Sequence, residues 1–154
     1  VPISATTGDG VDTLLDVLWK WAPEGVPIYD PELLTIHPER FLVAERIREK
    51  VLSETRDELP FSTTVLIEHW REPESGNTRE PVRIFASILV ERPGQKKILV
   101  GKGGQMIKAI GTAARLDLQE FLDRPVYLEL HVRLEPRWRE NERLLADLDR
   151  SLGR

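Results

Sequence analysis

Between Ile98 and Lys108 the chain reads Ile-Leu-Val-Gly-Lys-Gly-Gly-Gln-Met-Ile-Lys, a glycine turn set between two apolar segments. Glycines at such a turn let the backbone approach an anion with no Cβ in the way. The free N–H groups and partial positive charge at the start of the following helix favour a phosphate. Lys102 sits inside the turn, with Lys96, Lys97 and Lys108 close by in sequence. From Arg92 to Arg115 there are six basic side chains and no acidic one; the whole chain is at −4, so the rest carries −10. A block of one sign inside a chain of the other creates a local field that the total conceals. The chemistry this suits is the gripping of a phosphate backbone, with the flanking apolar residues as a floor for unstacked bases. A nucleotide-hydrolysing loop is a different case. It requires G-x-x-x-x-G-K-[ST], whereas Gly103 follows Lys102 and lysine stands at position 96.

The elements that must hold this turn can be read from periodicity. Phe41, Ala44, Ile47 and Val51 form one stripe of a helix from about Glu39 to Thr55, with Arg46, Glu49, Lys50 and Arg56 opposite; Leu59-Pro60 ends it. Thr63 to Trp70 and Val82 to Glu91 are β-prone runs, joined by a turn-rich connection containing Ser75-Gly76-Asn77, and they read as an antiparallel pair. Pro93-Gly94 breaks the second strand, and Gln95 to Val100 is a short helical segment. Ile107, Ile110, Ala114, Leu118 and Phe121 then step by three and four, which predicts a helix over 105–122. Gly111 inside that helix is expected to be compensated by close packing against a neighbour. Val126 to Leu134 alternates as a half-buried strand, and Trp138 to Leu152 reads as a last helix packed onto this body. Strands sharing one apolar face against helices make an α+β two-layer domain.

Ahead of it, Val1 to Ser4 reads as a short strand. A helix follows with apolar Val11, Leu14, Leu15, Leu18 and Trp21, capped by Asp9 or Asp12. Pro23, Pro27, Pro31 and Pro38 mark residues 23–38 as an extended linker. The expected division is therefore 1–22, the linker 23–38, a domain over 39–135 and a tail over 136–154.

Hydrophobic residues make up 40% and charged residues 31% of the 154 positions, which supports a packed core and argues against general disorder. Cysteine is absent, excluding disulfide scaffolds, thiolate metal sites and cysteine nucleophiles. No apolar run reaches the roughly 20 residues of a bilayer-spanning helix. His37, His69 and His131 lie on different elements with no metal-ligand spacing. The first residue is Val1 rather than methionine, so a piece of a longer protein is expected.

Residues 39–134 resemble the type II KH domain of the Era family of bacterial ribosome-assembly GTPases. The resemblance is carried by Arg46-Ile47-Arg48-Glu49-Lys50, Asp57-Glu58-Leu59-Pro60-Phe61-Ser62, Val90-Glu91-Arg92, the glycine turn with its flanks, and Ile107-Lys108-Ala109-Ile110-Gly111. Ala114-Arg115-Leu116-Asp117 and Val126-Tyr127-Leu128-Glu129-Leu130 extend it. Ile3-Ser4-Ala5 is similar to the last guanine-contacting motif of a G domain, with Ser4 and Ala5 as its remnant, and Val11 to Trp21 to that domain's final helix. The resemblance implies an α-β-β-α-α-β domain with a three-stranded sheet and helices packed on one face. It also implies capture of single-stranded RNA, namely the 3′ end of small-subunit (16S) ribosomal RNA during 30S assembly. The clamp would be Gly101, Lys102, Gly103, Gly104 and Gln105; charge would come from Lys96, Lys97, Lys108 and Arg115. Val100, Met106, Ile107 and Ile110 would line the base groove, with Val82–Glu91 as its edge strand.

No D-x-x-G or N-K-x-D motif occurs, since the two asparagines, Asn77 and Asn141, precede Thr and Glu. The chain is thus expected to be no enzyme and to need no cofactor by itself, with GTP and Mg²⁺ belonging to the full-length protein. The family further implies a cytoplasmic monomer, with peripheral association at the inner face of the cell membrane. Two rival readings are a fragment that retains GTP binding and a module whose acidic surface docks a ribosomal or membrane partner.

Overall fold

The computed structural model describes residues 1–26, 28–30, 32, 35–55, 62–74 and 79–151, with side chains as far as 148. The expected Leu59-Pro60 stop, the Asp57–Phe61 part of the resemblance, Pro27, Pro31, Ser75-Gly76-Asn77 and Leu152 lie outside these residues. Two compact units are present, Val1–Ile36 and His37–Arg154.

In the first unit, α1 spans Val11–Trp21. Val1 to Ser4 does not form the expected strand; among the described residues it has no ladder partner, and the chain turns after it. The Ser4 N–H donates to the Asp9 carbonyl and the Gly8 N–H to the Ser4 carbonyl, both at 2.9 Å. Gly10, not Asp9 or Asp12, is the N-cap, and no side chain bonds there. The helix buries none of its residues, and Leu15, Leu18, Trp19 and Trp21 are exposed.

In the second unit the elements run α2 Glu39–Glu54, β1 Thr64–Arg71, β2 Val82–Val90, α3 Pro93–Val100, α4 Gln105–Leu122, β3 Val126–Leu134 and α5 Glu142–Ser151. The strands form one sheet in the order β1-β2-β3. β1 and β2 pair antiparallel, as expected, with a bulge between Ile67 and His69. β3 lies parallel to β2, Val82 opposite Val126 and Val90 opposite Leu134. Parallel neighbours need a long crossover, and α3, the glycine turn and α4 supply it. The turn is thus part of the crossover that closes the sheet.

One face of the sheet meets α2 and α4. Val43, Ala44, Ile47 and Val51 of α2 and Ile110, Ala114 and Leu118 of α4 pack on Val65, Ile67, Ile84, Ala86, Ile88, Val126 and Val132. Burying each such valine, leucine or isoleucine side chain stabilises by about 1.5–3 kcal/mol. The opposite face carries a smaller cluster of Leu66, Leu89 and Leu144, with Trp138 and Leu148 against it. α5 therefore docks on the body as expected, on the sheet face opposite to α2 and α4. It is not one helix from Trp138, because Trp138–Glu140 forms a 3₁₀ turn first and Asn141 caps α5 through Oδ1 to the Leu144 N–H.

α2 and α4 are also clamped by charge. Asp117 on α4 lies 2.9 Å from both Arg46 Nη1 and Lys50 Nζ. Burial pushes the Asp117 carboxyl up, but the Lys50 and Arg46 hydrogen bonds and charges outweigh it and hold it below the usual aspartate range. A depressed folded pKa stabilises fully above about pH 4, and that contribution is lost as pH falls through the folded value. Asp117→Asn is expected to cost about 1–2 kcal/mol at neutral pH. The gap from the parent should narrow in acid, as read by urea unfolding between neutral and acidic pH; a pH-independent gap would exclude the ionic origin. Among the described residues, no helix is long and apolar enough to cross a membrane.

Candidate nucleic-acid interface

Pro93 opens α3 at a position where its missing N–H is harmless. Gln95 fixes the helix start: its Oε1 accepts the N–H groups of Glu91 and Arg92 at 3.0 and 2.9 Å, and its Nε2 donates to Ser62 Oγ at 2.8 Å. One turn later Leu99 is fully buried and anchors the far end. Gly101 then turns the chain at φ 70°, its N–H donating to the Lys97 carbonyl at 3.0 Å. A Cβ there would lie 2.7 Å from Met106 Cβ and 2.9 Å from Met106 N. Only glycine satisfies both the positive φ and that approach.

Lys102–Gly104 makes a single 3₁₀ turn, and α4 begins at Gln105. Gly103 sits at φ 59° with open space where a Cβ would be. The Gly104 N–H reaches the Gly101 carbonyl at 3.4 Å and the Gln105 N–H turns back to Lys102. Among the described residues no acceptor is recorded for the amides of Lys102 and Gly103. The tip is exposed at Lys102 and Gly103, as are Lys96, Lys97, Gln105 and Lys108. None of those four lysines has an ion-pair partner among the described residues. The geometry offers unpaired donors and uncompensated positive charge at one solvent-facing corner.

Beside this corner lies an open cleft of about 300 Å³. Ile107, Lys108, Gly111, Thr112 and Arg115 of α4 form one wall, and Leu128 and Leu130 of β3 the other. Arg115 is half-buried, its Nη1 bonded to Gln119 Oε1 at 2.9 Å, and the Thr112 hydroxyl bonds the Lys108 carbonyl at 2.8 Å.

Several expectations are corrected by this arrangement. Ile110 has 0% exposure and belongs to the core beneath the cleft, because it shares the inward stripe with Ala114 and Leu118. Val100 and Met106 are half-buried and packed against the same core, leaving Ile107 as the expected apolar residue that lines the cleft. The cleft's strand is β3, not Val82–Glu91, which is the middle strand, flanked by β1 and β3. Gly111 has no neighbour within 4 Å of a would-be Cβ, so it packs against nothing and leaves the cleft wide instead. Thr112, Leu128 and Leu130 join the cleft without a site role expected from the sequence; the mid-helix glycine is the signal that points to this wall. Since the space is open, Gly111→Ala should stabilise the protein by about 0.5–1 kcal/mol through helix propensity. Gly111→Leu should instead fill the cleft and, on the expected capture of single-stranded RNA, weaken affinity for an RNA probe about tenfold, measured by thermal melting and fluorescence anisotropy on the same samples.

Elsewhere, a cleft of about 440 Å³ is lined by Arg40, Glu68, His69, Arg133 and Asp147, with Arg133 already 3.6 Å from Glu68. Ser4 and Ala5 lie in a surface turn, where Ser4 Oγ accepts the Thr7 N–H at 3.3 Å. These two residues alone do not make a nucleotide pocket, and no three acidic or histidine side chains converge among the described residues.

The fold and this glycine corner define a KH module. A model of the KH domain family matches residues 59–139, more than half the chain, and the protein belongs to that family. It is similar to GTPase Era of Geobacter metallireducens, with 50% identity over 149 residues covering 96% of this chain and 49% of that protein. GTPase Era of Leuconostoc citreum is 49% identical over 148 residues, covering 96% and 47%. The chain thus spans about half the length of the curated relatives it matches. Two solved structures superpose closely, each 38% identical and covering 99% of this chain and 49% of its own. They are Aquifex aeolicus Era bound to GDP·AlF4⁻, at TM-score 0.83, and Era in complex with MgGDPNP and nucleotides 1506–1542 of 16S ribosomal RNA, at 0.84. The resemblance to Era GTPases and the α+β KH fold are both borne out.

Proposed function

We propose that this chain is the RNA-binding part of an Era-type GTPase and holds the 3′ end of small-subunit ribosomal RNA during 30S assembly. The observation that carries the reading is the Gly101–Gly104 corner, where the Lys102 and Gly103 amides and the nearby lysines have no partner among the described residues and adjoin an open, partly apolar cleft. KH modules use such a corner to clamp about four nucleotides of a single strand. The Era complex with nucleotides 1506–1542 supports the choice of RNA. Gly101, Lys102, Gly103, Gly104 and Gln105 grip phosphates, Lys96, Lys97, Lys108 and Arg115 supply charge, and Ile107 floors the bases. Residues 1–22 belong to the end of a G domain, 23–38 to its connector, 39–135 to the KH domain and 136–154 to its C-terminal extension.

GTP binding and hydrolysis with Mg²⁺ reside in the full-length protein, as the names of the relatives support. On this reading the protein works as a cytoplasmic monomer, and any membrane contact is peripheral. Titration with a fluorescent oligonucleotide of the rRNA 3′ end should show saturable binding that weakens with salt, with a slope of about −0.7 per neutralised phosphate. The isolated chain should show no saturable GTP binding. Tight GTP binding, or failure to bind the oligonucleotide at low salt, would reject this assignment.

A further inference from the structure

Among the described residues, only one end of the sheet's outer face is covered. Leu66, Leu89 and Leu144 close one end. At the other, each strand contributes one ring: His69 from β1, Phe85 from β2 and Tyr127 from β3. The His69 and Phe85 centroids lie 6.1 Å apart, and those of Phe85 and Tyr127 6.3 Å. Tyr127 is 47% exposed and His69 also faces solvent. Arg71 and Arg83 flank the rings, 5.7 Å from the centres of Phe85 and Tyr127 respectively.

These arginines are direct partners across the β1–β2 ladder, where like charges are destabilising. Among the described residues neither has an ion pair, although carboxylates stand nearby. Glu72 is held by Arg124 at 2.6 Å and by the Trp70 indole, and Glu129 by His131 at 2.9 Å. A cation–π contact at an exposed site contributes about 0.5–1 kcal/mol and leaves the charge uncompensated. Two opposed, unpaired guanidinium groups over a row of rings match the two components of a single nucleic-acid strand, phosphates and unstacked bases.

We propose that this face is a second, sequence-tolerant platform for single-stranded RNA, taking nucleotides that extend beyond the KH groove. The inference rests on the proposed RNA binding and is continuous with it. β3 is an edge strand whose Leu128 lines the groove while its neighbour Tyr127 lies on the outer face. One strand passing this edge touches both surfaces. Glu72, Glu74 and Glu80 line the same cleft as Arg71 and Arg83, which limits the gain to a moderate one.

The test uses two single-stranded RNAs, one of about four nucleotides and one of about twelve carrying 4-thiouridine. Arg71→Glu/Arg83→Glu should weaken the long RNA about threefold to tenfold and flatten its salt dependence, with the short RNA unchanged. Tyr127→Ser, a substitution at an exposed ring, should act in the same direction. Photo-crosslinks of the long RNA should map to residues 83–85 and 127–131 as well as to the glycine turn. Equal affinity of parent and both variants for the long RNA, or the absence of crosslinks on β2 and β3, would overturn the platform. Failure of the groove reading is a separate result: crosslinks would then be missing from residues 101–108 whether or not the platform is labelled.

Discussion

Lys102→Asp/Gly103→Asp is expected to lower affinity for the rRNA 3′-end oligonucleotide by on the order of 100-fold, with little change in stability. The two substitutions shift the tip by about three charge units, turning attraction for phosphates into repulsion at the point of closest approach. A loss near 2.7 kcal/mol corresponds to that factor. The fold should tolerate the change for structural reasons. Lys102 is exposed and unpaired, and the Gly103 position has open space for a Cβ. Its φ of 59° and ψ of 24° lie in the left-handed region that aspartate visits more readily than most residues. Anisotropy titration with circular-dichroism melting on the same preparation makes the measurement, and an unchanged affinity would remove the glycine turn as the clamp.

Gly101→Val should do the opposite, damaging the fold first and RNA binding as a consequence. Two residues earlier in the same turn, the backbone is at φ 70°, where a β-branched side chain is a genuine outlier. The new Cβ would also press on Met106 Cβ and N at 2.7 and 2.9 Å. Met106 N belongs to the first turn of α4, so relief requires α4 to move away from α3, which is pinned by the fully buried Leu99. A loss of about 3–5 kcal/mol follows, with a fall in Tm of roughly 10–20 °C. Gly103→Ala, with positive φ but no steric neighbour, should cost only about 1 kcal/mol. If Gly101→Val melts with the parent, the close approach at Met106 is not a constraint on the fold.

The site is legible in the sequence to the extent that its parts are local. The glycine tetrapeptide, the acid-free block around it and the helical period after it were readable because turn chemistry and amphipathicity involve residues a few positions apart. Gly111 shows where such reading stops. A glycine inside a helix signals an exceptional environment, but period alone cannot distinguish a tight contact from an empty wall, and here it is an empty wall. Val100, Met106 and Ile110 share the apolar character of Ile107, yet the packing of α4 on the sheet sends Ile110 into the core and leaves Ile107 at the cleft.

The amino-acid order alone determined the helices and strands between Glu39 and Leu134, the antiparallel β1–β2 pair and the cationic glycine corner, since each follows from contacts near in sequence; it did not determine the Val1–Ser4 segment or the turn at Trp138. Tertiary structure alone decided which strand borders the cleft, because a parallel crossover places β3 at the sheet edge beside α4. It also decided that α5 covers one end of the outer face while His69, Phe85 and Tyr127 meet at the other. Those three rings lie on separate strands, and only hydrogen-bond register brings them together.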